Sequence, residues 1–184
     1  THLDYLYGDL QNNDQWEPIE TPESYTLANL IVDELEQHSS YWHHNRAASS
    51  AICACSHVVN DTANAARLIF LCLGYCNYRE ERVDEEKDLI QAGKNMTSGH
   101  VAEAVIILAN HLLENDIAYP ELLLPTLLRF VRSKYKAHRA LILTHLAYFQ
   151  SKNNELGWDI FHEALKDSSG LWRHAENYLY YTYQ

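Results

Sequence analysis

At 184 residues the chain is long enough for one domain with a real core. Its apolar share of 47% is that of a globular protein, and six glycines and four prolines are too few for a turn-rich β sandwich, so long helices are expected. A net charge of −11 argues against non-specific nucleic-acid binding, because an acidic surface repels a phosphate backbone.

The charge is uneven. Up to residue 45 the chain carries Asp4, Asp9, Asp14, Glu17, Glu20, Glu23, Asp33, Glu34 and Glu36, with neither lysine nor arginine. No segment reaches the roughly 18 uninterrupted apolar residues of a membrane helix. The N-terminus lacks the basic, apolar and small-residue succession of a signal peptide, so a cytoplasmic location and no membrane partner are expected. The chain opens on Thr1 and closes at Gln184 inside a helical run, which predicts an excised piece of a longer polypeptide.

Residues 1–21 read as an acidic arm or linker, with aromatics at Tyr5, Tyr7 and Trp16. Thr21-Pro22-Glu23 is a helix start: a capping hydroxyl, proline at the first helical position, then an acid in the first turn. Leu27, Leu30, Ile31, Glu34 and Leu35 follow at helical spacing, Glu34 being the polar intruder and a candidate buried acid, and the helix should end near His38–Ser40. Tyr41–Val59 and Thr62–Tyr78 read as two helices broken at Asn60-Asp61. The second is apolar nearly all round and is expected in the middle of the fold. Arg79–Asp88 is highly charged and reads as a solvated loop or surface helix. Gly93–Gly99 is the clearest internal break, after which Thr97 or Ser98 caps a helix from His100 to Asn115. Its apolar face is Val101, Ala104, Val105, Leu108 and Leu112.

Pro120–Gln150 and Asn153–Gln184 each read as helix, polar break, helix. Arg139-Ala140 and His174-Ala175 fall 35 residues apart, and Ala104 lies 36 before Ala140. Recurrence at this period is the signature of stacked helical hairpins, none of which can bury its apolar face alone. The expected fold is therefore all-α, an α-solenoid of at least seven helices forming a single helical-repeat domain over 22–184. Leu68, Leu71, Val105, Leu108, Leu112, Leu124, Leu127, Leu128, Leu141 and Ile160 are the expected core.

Leu122-Leu123-Leu124-Pro125-Thr126-Leu127-Leu128, with Arg139 fourteen residues after Pro125, resembles a HEAT repeat. The resemblance implies a first helix kinked by its proline and a second opened by its arginine. An aspartate six residues before that arginine caps the turn in the family; Asp167 and Arg173 keep this spacing, while Ser133 stands in the aspartate's place in the earlier unit. The last unit lacks the proline, so the match is partial and covers roughly 100–184. A tetratricopeptide-like stack has nearly the same period and is the alternative. HEAT resemblance implies a right-handed, curved scaffold that binds proteins or carries other domains and has no activity of its own.

Candidate chemistry is thin. Cys53 with His57, and Cys72 with Cys76, are each four apart and share helix faces, which would let two helices offer four zinc ligands. Zinc motifs more often place ligands on loops at two-residue gaps, and cysteine in apolar helix behaves as a small hydrophobe, so buried, metal-free thiols are the expectation. His111, His145 and His162 sit at or near apolar faces and read as hydrogen-bonded core residues, while His43 and His44 should face apart on one helix. No nucleophile elbow, no H-E-x-x-H and no phosphate-cradling loop is present, so neither catalysis nor a cofactor is expected.

Two features point to binding. Arg129, Arg132, Lys134, Lys136 and Arg139 form a basic corner without an acid among them, either a solvated turn or a docking patch for an acidic protein segment. Trp172, Tyr180 and Tyr181 belong to a terminal aromatic run, which a further repeat would cover or a partner would use. The chain is thus expected to be an interaction or sensor scaffold for a protein partner or for other domains of its own chain. The C-terminal recognition region of a large signalling or defence NTPase is one such setting. The rival is a small helical enzyme or metal-binding module built on Cys53, His57, Cys72 and Cys76.

Overall fold

Helix starts are written into the side chains that precede them, and the computed structural model, which describes residues 22–81, 83 and 88–176, shows where they act. The arm 1–21 and Tyr178, Tyr180, Tyr181 and Tyr183 lie outside the described residues. Helix α1, Pro22–Gln37, opens on its proline, and a single turn, α2, Ser39–Trp42, follows. Asn45 then caps α3, Arg46–Cys55, its Oδ1 accepting the Ala47 N–H at 2.8 Å. Asp61 does the same for α4, Thr62–Leu73, through the Asn64 N–H at 2.7 Å. Asp88 caps α5, Leu89–Asn95, accepting from the Ile90 and Gln91 N–H groups. The chain continues as α6, Thr97–Glu114; α7, Leu123–Val131; α8, Lys136–Lys152; α9, Asn154–Leu165; and a 3-10 helix, Ser169–Ala175. No strand occurs among the described residues, so the chain is all-helical there.

These helices lie in two rows. One row runs α1, α4, α7, α9, each against the next; the other runs α3, α6, α8 and the 3-10 helix. Each member of the first row also touches its successor in the second, and α5 wedges against α6 and α8. Ala104, Ala140 and Ala175 sit in three consecutive members of the second row and are all buried, so small side chains recur where neighbouring helices come close.

The centre of the fold is not α4. Phe70 on that helix is 65% exposed, whereas α6 buries Val101 through Ala109 apart from half-buried Glu103, and α8 buries Leu141, Ile142, Leu143, Leu146 and Phe149. Helix α4 is a flanking helix whose apolar outer face is left open. Of the expected core, Leu68, Val105, Leu108, Leu112, Leu127, Leu141 and Ile160 are fully buried, while Leu71, Leu124 and Leu128 are partly buried against it.

Several boundaries move for identifiable reasons. Tyr41–Val59 is not one helix, because His44 takes φ 57° and Asn45 restarts the chain. His43 and His44 therefore leave the helix and place their rings 3.6 Å apart. Helix α4 stops at Leu73, and residues up to Tyr78 continue as turns. Glu34 is exposed rather than buried, accepting the Trp42 indole N–H at 3.1 Å. Pro125 occupies the first turn of α7, where its missing N–H has no helical acceptor to lose, so it starts the helix instead of interrupting it.

Gly93 and Gly99 do not mark a loop. Both are helical and buried, the break between α5 and α6 being the single extended residue Met96. A Cβ on Gly99 would lie 1.9 Å from the Gly93 carbonyl oxygen, and one on Gly93 would lie 2.5 Å from Leu141 Cδ1. The glycines are there because two helices and α8 meet at backbone distance.

Gly99→Ala should therefore cost about 1–3 kcal/mol despite the better helix propensity of alanine. Gly170→Ala, where nothing lies within 4 Å, should stay within about 0.5 kcal/mol. Urea denaturation of the two variants checks the contrast. By the same assay Leu108→Ala should lose about 2–5 kcal/mol and half-buried Leu128→Ala less.

Candidate functional site

First-row neighbours α4 and α7 lie side by side, and the segments that follow them face each other across a groove of about 610 Å³. Its lining comprises Cys76, Asn77, Tyr78 and Arg79 from one segment and Arg129, Arg132, Ser133, Lys134 and Tyr135 from the other. Four cations thus converge on one concave volume, and no carboxylate lines it. The Lys134 ammonium lies 4.9 Å from the Tyr135 ring centre, a cation–π contact that holds it along the wall. Burial first, and then neighbouring Glu80 and Glu81, pushes the Tyr78 phenol above its ordinary range, so it remains a neutral donor.

The five-base corner is divided by the structure. Arg129, Arg132 and Lys134 line the groove. Arg132 also gives its Nε–H to Glu163 at 3.1 Å, which ties the corner to α9. Lys136 is exposed but outside the lining. Arg139 turns away altogether: its guanidinium donates to the Ala164 and Lys166 carbonyls at 3.3 and 2.9 Å and to Ser168 Oγ at 3.2 Å. It caps the C-terminus of α9, so its part is to join two hairpins. Arg79 replaces it in the groove, and the sequence reading, which took 79–88 as solvated, missed it. A signal existed: if consecutive first-row helices pack side by side, the residues leaving each of them must be neighbours.

A chain of buried and half-buried hydrogen bonds, also missed, runs inward from the groove residues Ser133 and Tyr135. Ser98 N–H and Oγ–H both donate to Glu80 Oε1 at 2.7 Å. With its proton committed, Ser98 Oγ accepts from His138 Nε2–H at 2.9 Å, which leaves His138 Nδ1 to accept from Ser133 Oγ–H at 2.9 Å. Ser133 Oγ accepts the Tyr135 N–H in turn, at 3.1 Å, and the Tyr135 hydroxyl accepts the Glu80 N–H. Helix α6 consequently begins under the Glu80 carboxylate and not under a hydroxyl of Thr97 or Ser98. Glu80, far from solvated, is the acid that anchors the segment carrying Arg79.

This chain sets a serine on each side of an imidazole, with the acid bonded to one serine and not to the ring, and the imidazole is tuned against use as a base. His138 is 2% exposed, packed edge-on to Phe130 and Tyr135, and burial pushes its pKa down to about 3. A base that cannot hold a proton near neutral pH gains nothing from a hydrogen-bonded serine. The network is a neutral clamp on the groove's rear wall.

The cysteine alternative fares poorly on chemistry. All four cysteines are free, and burial raises each thiol, Cys55 to about 12, Cys76 to about 11, and Cys53 and Cys72 well above the ordinary range. Among the described residues no group of three or more His, Cys, Asp or Glu side chains is placed to hold a metal ion, so Cys53, His57, Cys72 and Cys76 are not assembled as ligands. His57 is pushed down to about 4, by burial first and then by His145 and His111. Burial raises the Glu103 carboxyl, but His145 at 3.1 Å, together with Lys94 and His100, holds it below its ordinary value. His111 is buried and bonded to the Val59 carbonyl at 2.7 Å, as expected of a core histidine; His162 is exposed and stacks on Trp158.

Two apolar surfaces remain. Leu30, Ile31, Leu35, Trp42, Ala47, Ala48 and Ala51 line a groove of about 290 Å³ between α1 and α3, with Leu30 59% exposed. Trp172 on the 3-10 helix is 50% exposed, while Tyr180 and Tyr181 lie outside the described residues. No described helix is long and apolar enough to cross a membrane. No family model matches the chain, and no curated protein or solved structure is significantly similar to it.

The clamp predicts a pH dependence. His138 is neutral when folded down to about pH 3, whereas an unfolded histidine gains a proton near 6.5. Between those values the unfolded state binds more protons, so stability should fall as pH drops from 6.5 toward 3 and be unaffected by this group above 6.5. His138→Gln should reduce that slope without abolishing it, because His57 titrates in the same direction over part of the window. Denaturation midpoints measured from pH 7 to pH 4 check it.

Proposed function

We propose that the chain is a non-catalytic, HEAT-like α-solenoid scaffold of the cytoplasm that binds an acidic segment of a protein partner in the groove between the α4 and α7 exits. The two rows of helices and the recurrent buried alanines support a stacked-hairpin reading, with a tetratricopeptide-like stack as the alternative class. The observation that carries the binding reading is the convergence of Arg79, Arg129, Arg132 and Lys134 on one concave volume free of carboxylates, on a chain whose net charge is −11. Isolated solvated bases would be scattered among acids, as they are elsewhere on this chain. Grouped cations raise the local concentration of an anionic partner and speed its encounter.

Raised thiols and a neutral, buried His138 weigh against the rival of an enzyme or metal module, and the scaffold needs no cofactor. Nucleic acid is disfavoured because four cations are fewer than the six to ten phosphate contacts that give strong duplex binding. The contacts are exposed, so each should contribute roughly 0–1 kcal/mol and weaken with salt.

Arg129→Glu combined with Lys134→Glu should abolish binding of a polyglutamate peptide by the full chain and leave its melting temperature within a few degrees. Lys136→Glu, outside the lining, should weaken it only slightly. Fluorescence anisotropy at two salt concentrations measures both. Equal loss from both changes would mean that net charge, and not the groove, is being read.

A further inference from the structure

The groove's contents define its occupant more narrowly than an acidic segment. We infer that the groove recognises a phosphate monoester on a protein segment, a phosphorylated side chain, with Arg79 and Arg129 as its principal contacts. This rests on the proposal that the groove is the binding site.

Three features separate phosphate from a string of carboxylates. The first is concentration of charge. Carboxylates on a peptide are spaced along its backbone and are best met by cations spaced along a strip. Here the cations come from two separate segments and face one volume of about 610 Å³. A phosphate monoester brings close to two negative charges and three acceptor oxygens to a single point. The second is donor type. Three of the four cations are arginines, whose planar forks meet two oxygens of one phosphate at once, which a lysine ammonium cannot do. A neutral donor stands beside them in the Asn77 amide, and no lining acid repels the ligand.

The third is preorganisation. Arg132 is paired with Glu163, Lys134 lies along the Tyr135 ring, and the segment bearing Arg79 is anchored by Glu80, whose carboxylate accepts both Ser98 donors and whose N–H donates to the Tyr135 hydroxyl. Charges fixed before binding cost less to order on binding, which favours a compact, directional ligand over a diffuse one. The Tyr78 and Tyr135 rings and the Cys76 side chain supply apolar wall for the residues flanking the phosphate. Ser133 is not a contact, since its hydroxyl proton goes to His138.

The test uses the full chain and four probes at matched ionic strength: a short neutral peptide with one phosphoserine, the same peptide with serine, the same with glutamate, and polyglutamate. The phosphoserine peptide should bind roughly tenfold or more tighter than the glutamate peptide. Inorganic phosphate should displace it, and the serine peptide should not bind. Arg79→Gln and Arg129→Gln should each remove the preference for phosphoserine over glutamate, with circular dichroism confirming the helical fold. Should either variant fail to fold, Lys134→Gln, at an exposed position, should still lower phosphoserine affinity severalfold. Polyglutamate binding with no preference for phosphoserine would overturn the phosphate inference and leave the groove reading standing. Failure of polyglutamate and phosphoserine alike to bind would overturn both. A phosphoserine preference that survives the Arg79 and Arg129 substitutions would place the ligand elsewhere and overturn the assignment.

Discussion

Helices α6 and α8 pack on each other along most of their length, and what the other helices can do follows from that contact. Both are buried on nearly every side: α6 buries residues from Thr97 to Leu112 apart from half-buried His100, Glu103 and Asn110, and α8 exposes only Lys136, Thr144, Ser151 and Lys152. A helix that is apolar all round needs neighbours all round. Helix α3 and the 3-10 helix extend the row, and the first-row helices cover one flank. Ala102, Ala104 and Ala109 on one helix and Ala137 and Ala140 on the other keep the packed surfaces shallow, so the axes can approach. At the tightest point even alanine is too large, and Gly93 and Gly99 meet instead.

Such tight packing moves the polar problem to the helix ends, where up to four N–H or C=O groups lack helical partners. Local side chains solve part of it, as at Asn45, Asp61 and Asp88. Long-range side chains solve the rest. Glu80 caps α6 from 18 residues away, and Arg139 caps the end of α9 from 25 to 29 residues away. After α6 the chain turns through Asp116 at φ 54°, with Ile117 N–H returning to the Leu112 carbonyl at 2.8 Å. These ends do structural work that their charges alone would not reveal, and so a basic corner read from sequence splits into members with different tasks.

That split marks the limit of what the residues disclosed. Helical periodicity located every long helix and most of the core, because burial of an apolar face is a local, repeated signal. The 35-residue spacing of Ala140 and Ala175 was legible for the same reason. The break between Gly93 and Gly99 was legible and falls at Met96, but the close approach that both glycines serve is revealed only by their three-dimensional neighbours. Helix α4 misled too: an all-apolar helix belongs in the interior unless another surface covers it, and Phe70 remains open. The groove was half legible. Arg129, Arg132 and Lys134 stood out as a cluster, but Arg79 was hidden among acids, and His138 looked like any residue on an apolar helix. Neither is recoverable without knowing that the exits of α4 and α7 adjoin.

The adjacency of those exits also explains why a cationic site can persist on so acidic a chain. The residues that leave α4 and α7 are far apart in sequence but close in space, so a few substitutions at turns build a local field without altering any buried face. The acids near that edge are partly withdrawn from the groove by other duties. Glu80 is held by Ser98, and Glu163 is held by Arg132 on the far side of the corner. Removing Glu163 would free the Arg132 charge at the groove, and removing Glu80 would leave the Ser98 N–H at the start of α6 without its acceptor. The clamp that fixes α6 and the arrangement that leaves the groove positive are therefore one structural solution, in which buried hydrogen bonds decide which charges face solvent.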